Sequence, residues 1–313
     1  MTMKNRGSKQ SQTSERIPLL ATPDTDGLYF YSQLDPWQQD NHYIRSGYVK
    51  ETNSYAGSIR SLLYLHNESV NIYTHLVPAF FAFIFFTIFI DNVVLQNEDH
   101  WWVRPTFMLF GVGLSVCLSL SALFHLFKSH SHLVCKFGNQ CDYFGIVVMI
   151  TCSLISVMSF IFYEEPKYKI GFIILFLILG SICTVVTFDS KFSTPHYRPF
   201  RSAMFILFGL SGILPVIGAV HLYGYQNAVQ RSGAYWLIGE GFFYIFGACL
   251  YALRIPEKWV YEETDGDFKK GKFDIFGSLH QIFHVMVVIA AYCHWRGLYD
   301  SYIDWTVRTS VVF

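Results

Sequence analysis

Phe107-Met108-Leu109-Phe110-Gly111-Val112-Gly113-Leu114-Ser115-Val116-Cys117-Leu118-Ser119-Leu120-Ser121-Ala122-Leu123-Phe124-His125-Leu126-Phe127 contains no charged residue and one histidine, close to its end. A helix that crosses a bilayer needs about 20 mainly apolar residues, and this stretch meets that need. Six more do so: Tyr73–Leu95, Tyr143–Tyr163, Ile170–Phe188, Ala203–Leu222, Tyr235–Leu253 and Phe276–Cys293. The gaps between them are short. The expected architecture is all-α, a compact bundle of seven transmembrane helices. Gly111, Gly113, Gly209, Gly212, Gly239 and Gly241 recur within the spans, which suits close approach of helices in lipid. Pro215 is expected to kink the fifth span.

Composition agrees. Of the 313 residues 52% are hydrophobic and 15% charged, against about 25% charged in a soluble domain. Polar residues concentrate before the first span. We expect two parts: residues 1–55, a cytosolic segment disordered at its start, and residues 56–313, the seven-helix domain. Zero net charge gives no footprint for nucleic acid. The seven cysteines form no CxxC pair and mostly lie in apolar runs, where cysteine acts as a small hydrophobe, so no disulfide framework is expected. Met1 to Gln12 is polar, and no signal peptide is expected.

Positive residues mark the cytoplasmic side of a membrane protein. The N-terminal segment and the gaps after spans two, four and six hold 17 Lys and Arg; the opposite side holds 6. This predicts a cytosolic N-terminus and an exoplasmic C-terminus. It also brings candidate ligands to one depth. His125 ends span two, Asp142 opens span three, and His280 and His284 open span seven, all at the inner leaflet. Residues four apart share a helix face, so His280 and His284 can grip one ion. Three neutral imidazoles suit zinc with a position left open. Asp142 can bind directly or hold a water beside the metal. Ser121, four residues before His125, can orient water or substrate, or satisfy its own helix backbone. Glu68, Asn71 and His75 align at the entrance of span one and read as a polar network that locks helix ends. Glu240 should face the interior, and Arg254-Ile255-Pro256-Glu257 reads as a structural stop. Asn67-Glu68-Ser69 is a formal glycosylation sequon on the cytosolic side, where it should stay unmodified.

The ordered blocks Pro36-Trp37-Gln38-Gln39-Asp40-Asn41, Gly47-Tyr48, Leu65-His66-Asn67-Glu68 with Asn71 and His75, Ser121-Ala122-Leu123-Phe124-His125, Asp142-Tyr143-Phe144-Gly145, Ser211-Gly212-Ile213-Leu214-Pro215, Arg254-Ile255-Pro256-Glu257 and His280-Gln281-Ile282-Phe283-His284 resemble the progestin and adipoQ receptor family. That family includes the adiponectin receptors and haemolysin III-like proteins. The resemblance covers about residues 35 to 296. It implies a seven-helix fold with a cytosolic N-terminus and a zinc ion near the inner leaflet, held by His125, His280 and His284. Asp142 would act through a zinc-bound water, with Ser121 beside it. Family members are linked to ceramidase-type lipid-amide hydrolysis, fungal ones to zinc and lipid homeostasis. The chain departs in the insert from Glu262 to Lys270, and in Cys141 and Leu279, where an aliphatic residue and a serine are expected.

The leading expectation is a zinc-dependent intramembrane hydrolase of ceramide-like lipid amides, with Asp142 and Ser121 as catalytic residues. The alternative is a receptor or sensor with structural zinc and an extracellular ligand. A zinc transporter lacks a second ligand cluster along the spans, Glu240 and His221 being isolated. Glu15-Arg16-Ile17-Pro18-Leu19-Leu20 fits an acidic-dileucine sorting signal, which favours an endosome or vacuole over the plasma membrane.

Overall fold

The computed structural model describes residues 27–90, 92, 100–192, 194–261 and 270–310. The sorting-like motif and nearly all of the acidic-basic insert lie outside them. Among the described residues the structure is helical, with one isolated antiparallel bridge, Tyr29 to Tyr48. Six segments are long and apolar enough to cross a membrane: Ser69–Phe89 (α2), Val103–Phe127 (α3), His132–Ile161 (α4), Pro166–Phe188 (α5), Pro199–Tyr223 (α6 and α7) and Ala234–Val260 (α9 and α10). Short α1 (Tyr55–Arg60) precedes them, and α8 (Tyr225–Ser232) joins α7 to α9.

The last helix, α11, spans Leu279–Ser310. At 1.5 Å per residue its 32 residues extend about 48 Å, well beyond the predicted Phe276–Cys293. It is not among those six, and it carries His280, Gln281, His284, His294 and Arg296. Packing explains how it tolerates them. It lies against α2, α4, α8 and α9, and it buries Gln281, His284, His294 and Ser301 together with Val287, Ala291, Leu298 and Trp305. Phe80, Phe83, Ile182, Val185, Ile217 and Phe242, on other helices, are instead exposed, as side chains meeting lipid tails must be. The six spans and α11 thus form a helical membrane bundle.

Two boundaries shift. The fifth span breaks at Ser211-Gly212, between α6 (Arg198–Leu210) and α7 (Ile213–Tyr223). Pro215 stands one turn later and has no N–H to return to the Ser211 carbonyl, so the ladder opens ahead of the proline. The third span begins at His132, about three turns before the predicted start. Asp142 therefore sits inside α4 and does not open it. The extra turns carry Lys136, Asn139 and Gln140, a polar face that an apolar window rejects.

Close approach is enforced where α8 meets α9. Gly233 has φ +58°, and a Cβ there would run into the Gly297 carbonyl of α11. All seven cysteines are free, as their placement in apolar runs suggests.

The loop before α1 is fastened to the bundle. Asp274 accepts from the Arg45 N–H at 2.8 Å and the Ser46 hydroxyl at 2.6 Å. Arg254 donates to the Asn41 side-chain oxygen at 3.2 Å and the Asp40 carbonyl at 2.9 Å. Glu257 accepts from Asn41 at 3.2 Å and from the Leu279 N–H at 3.0 Å. The second bond satisfies one of the donors that a helix N-terminus leaves open, and so fixes the start of α11 one residue before His280.

Candidate metal centre

Three histidines from two helices converge. One ring nitrogen from each of His125, His280 and His284 lies within 4.8 Å of the others. His125 and His284 are buried and His280 is partly so. The last turns of α3 supply His125; the first turns of α11 supply the other two, on one face.

Neighbouring groups fix which nitrogen is available. His125 Nδ1 donates to Glu68 Oε2 at 2.8 Å, so its Nε2 stays bare. That Nε2 faces His280 Nε2 at 3.0 Å. His284 Nδ1 donates to the Asn71 carbonyl at 3.0 Å, again leaving Nε2. His75 lies flat on His284, ring centroids 3.7 Å apart and planes 4° from parallel, so the ring has little freedom to swing. Two nitrogens on one tetrahedral zinc with bonds of about 2.0–2.1 Å stand roughly 3.3 Å apart, close to the His125–His280 separation. Histidine ligands hold their other N–H on a carboxylate or carbonyl in this same way. The donor set fits a transition-metal ion.

Glu68 anchors the centre. Its Oε1 accepts from Lys128 Nζ at 2.6 Å, and its Oε2 from Asn71 at 2.6 Å as well as from His125. Burial alone pushes this carboxyl up, but the Lys128 ammonium and the His125 hydrogen bond outweigh it and hold the carboxyl well below its ordinary range. Glu68 is ionised, and acceptor-only, across the physiological range. The spacing of Glu68, Asn71 and His75 revealed a polar network. It gave no sign that the network's object is the histidine triad.

Asp142 is buried on α4, within electrostatic reach of His125, and Ser121 supports its carboxylate with a side-chain hydrogen bond. Ser121, Asp142 and the three histidines line one cavity of about 1200 Å³. It runs from Trp37 and Lys136, at the polar end of the bundle, between the helices to Tyr225 and Val229. Glu240 also lines it, and its interior position agrees with the sequence reading. It is not isolated: His294 Nδ1 stands 2.8 Å from its Oε2. The partner was missed because 54 residues separate the two and no helical spacing links them.

A polytopic helical bundle with a buried tri-histidine centre opening on a large apolar cavity defines the class. The haemolysin-III related family matches residues 63–295. The "ADIPOR-like receptor IZH2" of Saccharomyces cerevisiae is 38% identical over 275 residues, which are 88% of this chain and 84% of that protein. The "Adiponectin receptor protein" of Drosophila melanogaster is 35% identical, over 86% of this chain and 58% of its own length. The "Heptahelical transmembrane protein 1" of Arabidopsis thaliana is 30% identical, over 89% and 82%. The chain belongs to the haemolysin-III related family, whose members here include proteins named as ADIPOR-like and adiponectin receptors.

The Glu68 arrangement makes a stability prediction. Glu68→Ala leaves Lys128 without its carboxylate and removes the acceptor of His125. The expected loss is about 2 kcal/mol, the scale for hydrogen bonds to a charged group, seen as a lower melting temperature in detergent. Glu68→Ala with Lys128→Met should recover part of that loss. Equal melting temperatures for wild type and Glu68→Ala would contradict the anchoring role.

Proposed function

We propose that His125, His280 and His284 hold a zinc ion, and that the protein hydrolyses the amide of a ceramide-like lipid drawn from the inner leaflet. The convergence of three oriented imidazoles on an apolar cavity carries this reading. When bound, zinc supplies a Lewis acid at the inner-leaflet end of the cavity. The rest of the chemistry falls to the chain. The apolar walls take the lipid chain and exclude bulk water. Asp142 takes a proton from the attacking water at its carboxylate, and Ser121 holds that carboxylate in place. Water adds to the amide carbon, the C–N bond breaks, and the proton returns to the departing amine, giving a fatty acid and a free amine. Glu68 and Asn71 act as positioning residues, fixing the tautomers of His125 and His284.

The inner-leaflet placement rests on the excess of Lys and Arg on the N-terminal side, 17 against 6. A cytosolic N-terminus and exoplasmic C-terminus predict that, in sealed inside-out vesicles, protease removes an N-terminal tag and spares a C-terminal one. The reverse pattern would overturn the orientation and the side from which substrate arrives.

A second reading is a receptor or sensor in which the same ion is structural. The names of the fungal and insect relatives favour it. The two readings part at Asp142. With catalytic zinc, Asp142→Asn keeps most of the metal, since three histidines remain. It loses about 10²–10⁴-fold in turnover, because an amide cannot take the proton. His284→Ala loses metal and turnover together. Zinc content and ceramide hydrolysis on purified wild type and both variants make the comparison. Full zinc with no turnover on a panel of lipid amides would support the receptor, and full activity in Asp142→Asn would discard the mechanism.

A further inference from the structure

The cavity continues well past the histidine triad, and what lines it changes. Cys117, Met149 and Val287 follow the triad along α3, α4 and α11. Beyond them the wall turns polar again, with Ser153 on α4, Glu240 and Tyr244 on α9, and His294 on α11. Two helices measure the separation independently. From His284 to His294 is ten residues of α11, and from Asp142 to Ser153 eleven of α4. At 1.5 Å per residue both give about 15 Å.

Two groups at this deeper level lack partners. Ser153 is 4% exposed, and its hydroxyl, like that of Tyr244, is buried with no hydrogen bond. An unsatisfied buried polar atom costs about 1–3 kcal/mol, and here two occur on the lining of one cavity. The groups around them are already matched. Ser156 gives its one hydrogen to the Ser153 carbonyl at 2.8 Å. His294 Nε2 stands 3.3 Å from the Ser156 oxygen. His294 Nδ1 stands 2.8 Å from Glu240 Oε2. At this level the unpartnered groups are hydroxyls. It offers two free hydroxyls, each able to donate and to accept.

We propose that Ser153 and Tyr244 form a second recognition station, which takes a hydroxyl carried on the lipid chain about 15 Å from the group held at the triad. The favoured ligands are long-chain lipids hydroxylated near mid-chain. This rests on the reading that a lipid chain occupies the cavity, and needs no turnover. Tyr244 is one helical turn from Glu240 on the same face.

The test is equilibrium binding to the zinc-loaded full-length protein in lipid nanodiscs, by competition with a fluorescent fatty acid. The probes are octadecanoic acid and its 12-hydroxy and 2-hydroxy derivatives. Wild type should bind the 12-hydroxy acid about three- to tenfold more tightly than the plain acid, the range for one well-made hydrogen bond. Ser153→Ala with Tyr244→Phe should reduce that ratio to near one while leaving affinity for octadecanoic acid unchanged. The 2-hydroxy acid, whose hydroxyl lies at the triad end, should bind both proteins equally. If the double variant binds no fatty acid, the single variants decide, each losing part of the ratio. A ratio of one in wild type, meaning that water satisfies the two hydroxyls, would overturn the proposal. So would a ratio that survives both substitutions. A hydroxyl preference without lipid-amide turnover would leave the station standing and remove the hydrolase.

Discussion

A carboxylate held between a lysine and a histidine organises this molecule. Glu68 precedes the first span and meets Lys128 and His125 from the end of the second. Ionised carboxylates are costly to bury unless every lone pair is used. Glu68 uses its own on Lys128, His125 and Asn71. One interaction therefore ties α2 to α3 and fixes the tautomer of His125, and Asn71 carries the effect on to His284. A parallel device works at the last helix. Glu257 joins Asn41 of the N-terminal loop to the first N–H of α11, so the position of His280 depends on a segment more than two hundred residues away in sequence.

Much of this was legible before the structure. Apolar length pointed to seven spans, and six of them recur as long apolar helices, because lipid permits only helices whose backbones satisfy themselves. Charge asymmetry, together with HxxxH spacing, placed His125, His280 and His284 at one depth, and geometry brings them within reach of one ion. What the sequence hid was contact across helices. Nothing in periodicity links Glu68 with His125, Glu257 with Leu279, or Glu240 with His294. Boundary errors also have a physical origin. An interfacial helix can continue for three turns beyond its apolar part, as α4 does from His132 to Asp142. A central helix can hide polar residues from lipid, as α11 hides Gln281, His284 and His294.

The cavity joins these features to a function. A site for a small hydrophilic substrate would not need about 1200 Å³ of largely apolar space, which exceeds the ordinary range of roughly 300–1,000 Å³. The shape suits an amphiphile with its head at the triad and its chain directed toward Glu240 and His294. The proposed hydrolase would cleave the amide of such a ligand, whereas the receptor reading needs no turnover.

The central claim is that three imidazoles hold zinc through their Nε2 atoms and leave a position for an oxygen ligand. X-ray absorption at the zinc edge on purified protein tests it most directly. The account predicts about three nitrogen ligands with imidazole scattering at roughly 2.0–2.1 Å, one further oxygen, and no sulfur. It also predicts that the imidazole signal vanishes in His280→Ala with His284→Ala. A sulfur shell near 2.3 Å, or a zinc signal unchanged in that double variant, would contradict it.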